Sequence, residues 1–234
     1  MPHLFYPFMQ KITLNFTVSP KNDAEEFSPL YKGHENLRNP LRKYILKTQP
    51  DFKFDKLPNK AKLVKFVAAE YKRESPKMHK VEAYTKLRWG KIEPKFYDLT
   101  QKVFPGFIVP DDKYEAYPSI WPFYIRNFKT RRISFPYLRK NKNEPLFVIA
   151  HELLHVFFYS YLFQKYPKFK AKMQSKQVWD FSEAINVVIQ GQEEWVRLFK
   201  VIPHYYPEHK QLFLKLQKFW DKEKNLDKLI QEFL

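Results

Sequence analysis

One run constrains this chain more than any other: PLFVIAHELLHVFFYSYLF, 19 residues at positions 145–163, with Glu152 as its only Asp, Glu, Lys or Arg. A stretch this apolar folds as a helix buried around most of its circumference, or it crosses a bilayer, a length it nearly meets. A lone span would leave His151, Glu152 and His155 facing lipid at considerable cost, and the sequence offers no second apolar span to shield them. A core helix, and no membrane span, is the expectation. Asn143 stands where it can cap that helix, Glu144 and Pro145 fall in a first turn that favours both, and the pattern carries to about Tyr166.

A helix that only fills a core has no need of three ionisable groups at its centre. His151 and His155 are one turn apart on the same face, so both imidazoles can aim at one point. Neutral imidazole is a good zinc ligand, and two of them need a third protein ligand and an open position for chemistry. Glu152 sits about 100° round the helix from His151, where it can reach an activated water as a general base without itself binding a metal.

The third ligand must come from elsewhere. Glu183 lies in VWDFSEAINVVIQ, 28 positions beyond His155, far enough to end one helix, turn and return with an antiparallel one. The competing reading of Glu183 is a capping box with Asp180, in which the glutamate only bonds the backbone of the cap. His204 and His209 are the competing ligands. Asn186, one turn beyond Glu183, can orient a ligand imidazole from behind or simply bond backbone. Tyr159 lines a cleft or fills the core. Amide hydrolysis also calls for a donor to the developing oxyanion, and the cluster PHYYPEH at 203–209 supplies candidates in His204, Tyr205 and Tyr206, of which Tyr206 is preferred.

Around this centre the pattern is α+β. Residues 11–18 alternate with Ile12, Leu14, Phe16 and Val18 on one face, as a half-buried strand does. The polar segment with Ser19, Pro20 and Gly33 reads as loop. From Asn36 to Val103 the period is helical, with stripes at Leu63, Phe66, Val67 and Tyr71, at Val81, Tyr84 and Arg88, and at Phe96, Leu99 and Val103, punctuated by Pro76 and by Gly90 to Pro94. Residues 117–125 and the segment RRISF read as strands, the prolines marking them as edges. A helix is expected from about Asp180 to Gln190. After Pro203 and Pro207 a final one carries Leu212, Leu216 and Phe219, then Leu226, Leu229 and Ile230 after a break. No linker is evident, so residues 1–234 are expected as a single domain, with residues 1–105 an N-terminal strand and helical portion and residues 106–234 the metal-binding core and C-terminal helix.

The chain has no cysteine, which removes disulfides, thiolate zinc sites, thiol nucleophiles and iron–sulfur clusters. The start lacks the marks of a secretory signal, so the expected location is cytoplasmic. The net charge of +17 is spread along the whole chain, as a solvated lysine-rich surface would spread it. Seven Lys and Arg without an acid at residues 126–142, and five more Lys at 165–176, flank the motif helix and also suit an acidic substrate or a polyanion.

HELLH followed by a glutamate on a second helix resembles the gluzincin group of zinc metallopeptidases, especially their compact single-domain members, over residues 133–190. The resemblance implies a zincin-like core with a small mixed or antiparallel sheet. It implies Zn2+ held by His151, His155 and Glu183, with Glu152 as base and proton shuttle. An edge strand upstream of the helix, here RRISF, is implied to align an extended peptide substrate by strand addition. The chain departs from the family pattern at Ser182-Glu183-Ala184. A basic binding protein, or a zincin scaffold without catalysis that engages nucleic acid or a protein partner, is the alternative function.

Overall fold

The structure, a computed structural model, describes residues 11–33, 47, 60–107, 112–138, 141–172 and 175–234, with the side chains of 28–33 and of residue 60 outside that description. The helical expectation for residues 36–46 and 48–59 lies outside the described residues. The order of elements is β1 (Thr13–Phe16), α1 (Pro20–Gly33), α2 (Lys60–Val103), β2 (Lys113–Ser119), β3 (Arg126–Asn127), β4 (Arg132–Pro136), α3 (Glu144–Lys165), α4 (Lys176–Gln190), α5 (Glu193–Phe199), α6 (Lys210–Glu223) and α7 (Leu226–Phe233). The class is α+β, with a small mixed sheet. Its residues fall into two compact units, and α2 and α3 each divide between them, at Trp89/Gly90 and at Ile149/Ala150.

One unit contains the sheet, ordered β1-β2-β4-β3. β2 and β4 run parallel, from Glu115 opposite Arg132 to Ser119 opposite Pro136, while β3 pairs antiparallel with Ile133 and Arg132 of β4. RRISF is therefore an interior strand and not the edge it was expected to be. Proline was misleading here: Pro136 is the last residue of β4, where a missing N–H costs the ladder little. Against the sheet packs a core of Phe27, Leu63, Val67, Tyr71, Ile120 and Trp121, with Phe27 stacked on Trp121 at 4.0 Å between ring centres.

The segment read as a polar loop is the helix α1. Ser19 Oγ accepts the amide of Asn22 at 3.2 Å and Pro20 opens the helix, so Ser-Pro is a start signal here. Asp23, fully buried, ties α1 to the end of β2. It accepts the Ser119 hydroxyl at 2.6 Å and the Ile120 amide at 2.9 Å. The Tyr71 hydroxyl lies 3.2 Å from Asp23 but only 2.6 Å from the Pro118 carbonyl oxygen. A phenol has one proton to give, and the closer acceptor takes it. Asp23 then meets Tyr71 best by donating a proton of its own. Burial agrees, pushing its pKa up to about 7 against the Ser119, Ile120 and Tyr71 hydrogen bonds.

The other unit joins the C-terminal part of α2 to α3 from Ala150 onward and to α4–α7. Its core is aromatic: Phe96 meets Trp195 edge-on at 5.8 Å and Phe157 at 6.0 Å, and Phe158 meets Phe181 at 5.6 Å. α2 runs unbroken through Pro76 and Pro94, where breaks were expected. Buried Met78, Val81, Trp89, Ile92 and Phe96 offset the lost backbone bonds, each proline otherwise costing about 3 kcal/mol. α3 is the one described helix long and apolar enough to cross a membrane, and 78% of its apolar window is buried within the protein. Asn143 precedes α3 and its carbonyl accepts the Phe147 amide, but its side-chain Oδ1 has no partner. The expected side-chain cap is absent.

Candidate metal centre

α3 and α4 meet antiparallel, because His151 bonds Gln190 while His155, one turn later, bonds Ser182. The arrangement follows from α4's own pattern. Ser182, Asn186 and Gln190 repeat every four residues and form one ridge, with Glu183 beside it, and all four are buried. α4 begins four residues earlier than the sequence suggests. Ser175 is its N-cap and its hydroxyl accepts the Val178 amide. Asp180 and Glu183 are thus inside the helix, which removes the capping-box reading of Glu183.

His151 Nε2 lies 3.1 Å from His155 Nε2 and 3.5 Å from Glu183 Oε2, and His155 Nε2 lies 3.3 Å from Glu183 Oε1. The three residues form a group able to hold a metal ion, each offering one ligand atom. Tetrahedral zinc with bonds of about 2.0–2.1 Å sets its ligand atoms about 3.3 Å apart, and the observed separations bracket that figure. The far sides of the rings are fixed too. His151 Nδ1 is 2.7 Å from Gln190 Oε1, and His155 Nδ1 is 2.6 Å from Ser182 Oγ. Gln190 Oε1 only accepts, so His151 keeps its proton on Nδ1 and turns a lone pair from Nε2 toward the group. If Ser182 accepts in the same way, two lone pairs and a carboxylate converge on one point, and such a point requires a cation.

The electrostatics agree. Burial works to lower the His151 pKa, but its bond to Glu183 and the charges of Glu152 and Glu183 outweigh that and raise it. Burial pushes Glu183 upward, yet His155 and His151 together hold it well below the usual carboxylate range. Access is one-sided. His155 is fully buried and Glu183 nearly so, while the His151 side chain keeps 18% of its surface. Glu152 is 6% exposed, next to His151 in the chain.

Asn186 donates from Nδ2 to the His151 carbonyl oxygen at 3.3 Å, while its Oδ1 is buried without a partner. The imidazoles themselves are held by Gln190 and Ser182, two residues the sequence reading did not single out. Their spacing of eight, matching two turns, was the available signal. His209 is buried and pairs with Asp180 at 3.1 Å, edge-on to Trp179 at 5.2 Å. It is not one of the three grouped ligands, and His204 is exposed. Tyr206 is 54% exposed and is positioned by Trp179 and His209. Tyr159 is buried beside Phe158.

No family model, curated protein or solved structure matches the chain.

Proposed function

We propose that the protein is a zinc-dependent metallopeptidase with a zincin-like core of gluzincin type, acting on peptide or protein substrates in the cytoplasm. The observation that carries this reading is the convergence of His151 Nε2, His155 Nε2 and the Glu183 carboxylate at 3.1–3.5 Å. His151, His155 and Glu183 would hold the ion, and Gln190 and Ser182 would fix the two rings. Zinc, when bound, polarises a carbonyl and lowers the pKa of water.

The remaining chemistry belongs to Glu152. It takes the proton of the attacking water and returns it to the leaving amine, a role its position beside a ligand histidine supports. Tyr206 is the proposed donor to the developing oxyanion, reaching the substrate from the segment before α6. The measurement is elemental analysis and peptide hydrolysis on wild type, Glu152→Gln and Glu183→Ala. Wild type is expected to carry one zinc. Glu152→Gln is expected to keep it and lose turnover by about 100-fold or more, and Glu183→Ala to lose zinc. Zinc-free wild type, purified without chelator, sinks the reading.

A further inference from the structure

The interior position of β4 leaves a substrate peptide without the expected edge, and another stretch of backbone meets the requirement. Residues 201–206 carry no regular secondary structure, and their exposure alternates: Val201, Pro203 and Tyr205 are half-buried, while Ile202, His204 and Tyr206 are exposed. Ile202 is 70% exposed, and Tyr206 has the dihedrals of extended chain, φ −66° and ψ 138°. Alternation of this kind marks a strand lying flat on a surface. Yet residues 201–205 make no hydrogen bond to any described residue. Five consecutive extended residues without a ladder present unpaired donors and acceptors, which is the template for strand addition.

Where this strand lies is fixed at both ends. At one, the Pro203 ring sits 3.7 Å from the position a β-carbon would take on Gly191. At the other, Tyr206 and His209 pack on Trp179, and His209 bonds Asp180. Trp179, Glu183, Val187 and Gly191 follow one another at four-residue intervals, so they form a single ridge of α4. The strand therefore runs antiparallel to α4 along the ridge that carries Glu183. Its two edges are unequal. Donors on a strand alternate from side to side, and Pro203 removes the middle donor from the edge of Val201 and Tyr205. The edge of Ile202 and His204 keeps its donors.

We infer that residues 201–206 form the strand-addition edge of this protein, taking an extended peptide chain along the Ile202 and His204 side, beside the metal group. This rests on the peptidase reading for what happens to the peptide but not for its docking. The test uses casein, an unstructured polypeptide, with full-length Glu152→Gln protein so that the probe survives. Hydrogen exchange across residues 200–206 and casein affinity are measured together, with zinc content determined separately. Casein is expected to slow exchange at Ile202 and His204. His204→Pro, which removes one donor and nothing else from the backbone, is expected to weaken casein binding about tenfold. His204→Ala, which keeps the N–H, loses no more than about threefold. Ile202→Pro repeats the experiment should His204→Pro melt early. Unchanged exchange with casein, or equal losses for His204→Pro and His204→Ala, overturns the edge even if zinc is present and peptides are cleaved. Protection of the segment in zinc-free protein supports the edge and sinks only the peptidase reading.

Discussion

At the residue scale, the question is what makes His151 and His155 good ligands rather than two buried histidines. The partner behind each ring is neutral, an amide for His151 and a hydroxyl for His155. Each fixes ring orientation without adding a second negative charge to a site that already contains Glu183. Removing such a partner typically costs 10- to 100-fold in metal affinity. Gln190→Ala and Ser182→Ala are each expected to weaken zinc by about that factor, read by competition against a chelator of known affinity. Asn186→Ala is expected to change zinc affinity by less than about threefold, because its amide reaches the His151 backbone and not the ring. A larger loss for Asn186→Ala than for Gln190→Ala would reverse this assignment.

At the element scale, α7 shows how a short helix is retained. Asp227 in its first turn accepts Tyr161 at 2.6 Å and Tyr166 at 2.9 Å, and pairs with Lys165, all at the end of α3. Leu226, Leu229 and Ile230 are buried beneath. Asp227→Asn keeps the shape and removes the charge, so amides of residues 226–233 are expected to exchange faster while zinc affinity holds. Unchanged exchange would show that apolar burial alone retains the helix. The same scale separates what the sequence reveals from what it hides. The HELLH face was readable because helical geometry alone puts His151 and His155 together, and the break before Leu226 because Lys224 and Asn225 end one helix and cap the next. α1, the continuity of α2 and the interior place of β4 were not. Each turns on a proline whose effect depends on its neighbours: Pro20 at a helix start, Pro76 and Pro94 inside a buried helix, Pro136 at a strand end. The start of α4 was missed because Ser175 is a weaker signal than Asp180 three residues before a glutamate. Gln190 and Ser182 were missed because a polar residue on a buried ridge gains meaning only once its partner helix is known.

At the scale of the whole molecule, charge and burial pull stability in opposite directions with pH. The net charge is +17 at neutrality. As pH falls through the carboxylate range it climbs toward the sum of 42 Lys and Arg and seven His, so self-repulsion grows. Glu183 and Asp227, whose pKa values are lowered in the fold, contribute stability above their unfolded pKa and lose it as pH drops through the folded one. Asp23 acts in the other direction. Its pKa is raised from 3.8 to about 7 by burial, so between those values the folded state holds a proton that the unfolded state has released. Stability from this group therefore falls as pH rises from about 4 to 7 and is level above, a loss on the order of a few kcal/mol. The two trends cross at a stability maximum expected near pH 5–6, on the acid side of neutrality. Asn at position 23 can donate to Tyr71 and accept from Ser119 without ever ionising. Asp23→Asn is accordingly expected to flatten the decline between pH 5 and 7 and to leave the acid limb where it is, measured by urea unfolding across pH at one fixed zinc concentration. An undiminished decline in that variant would assign the neutral-side loss to another group and leave Asp23 ionised within the fold.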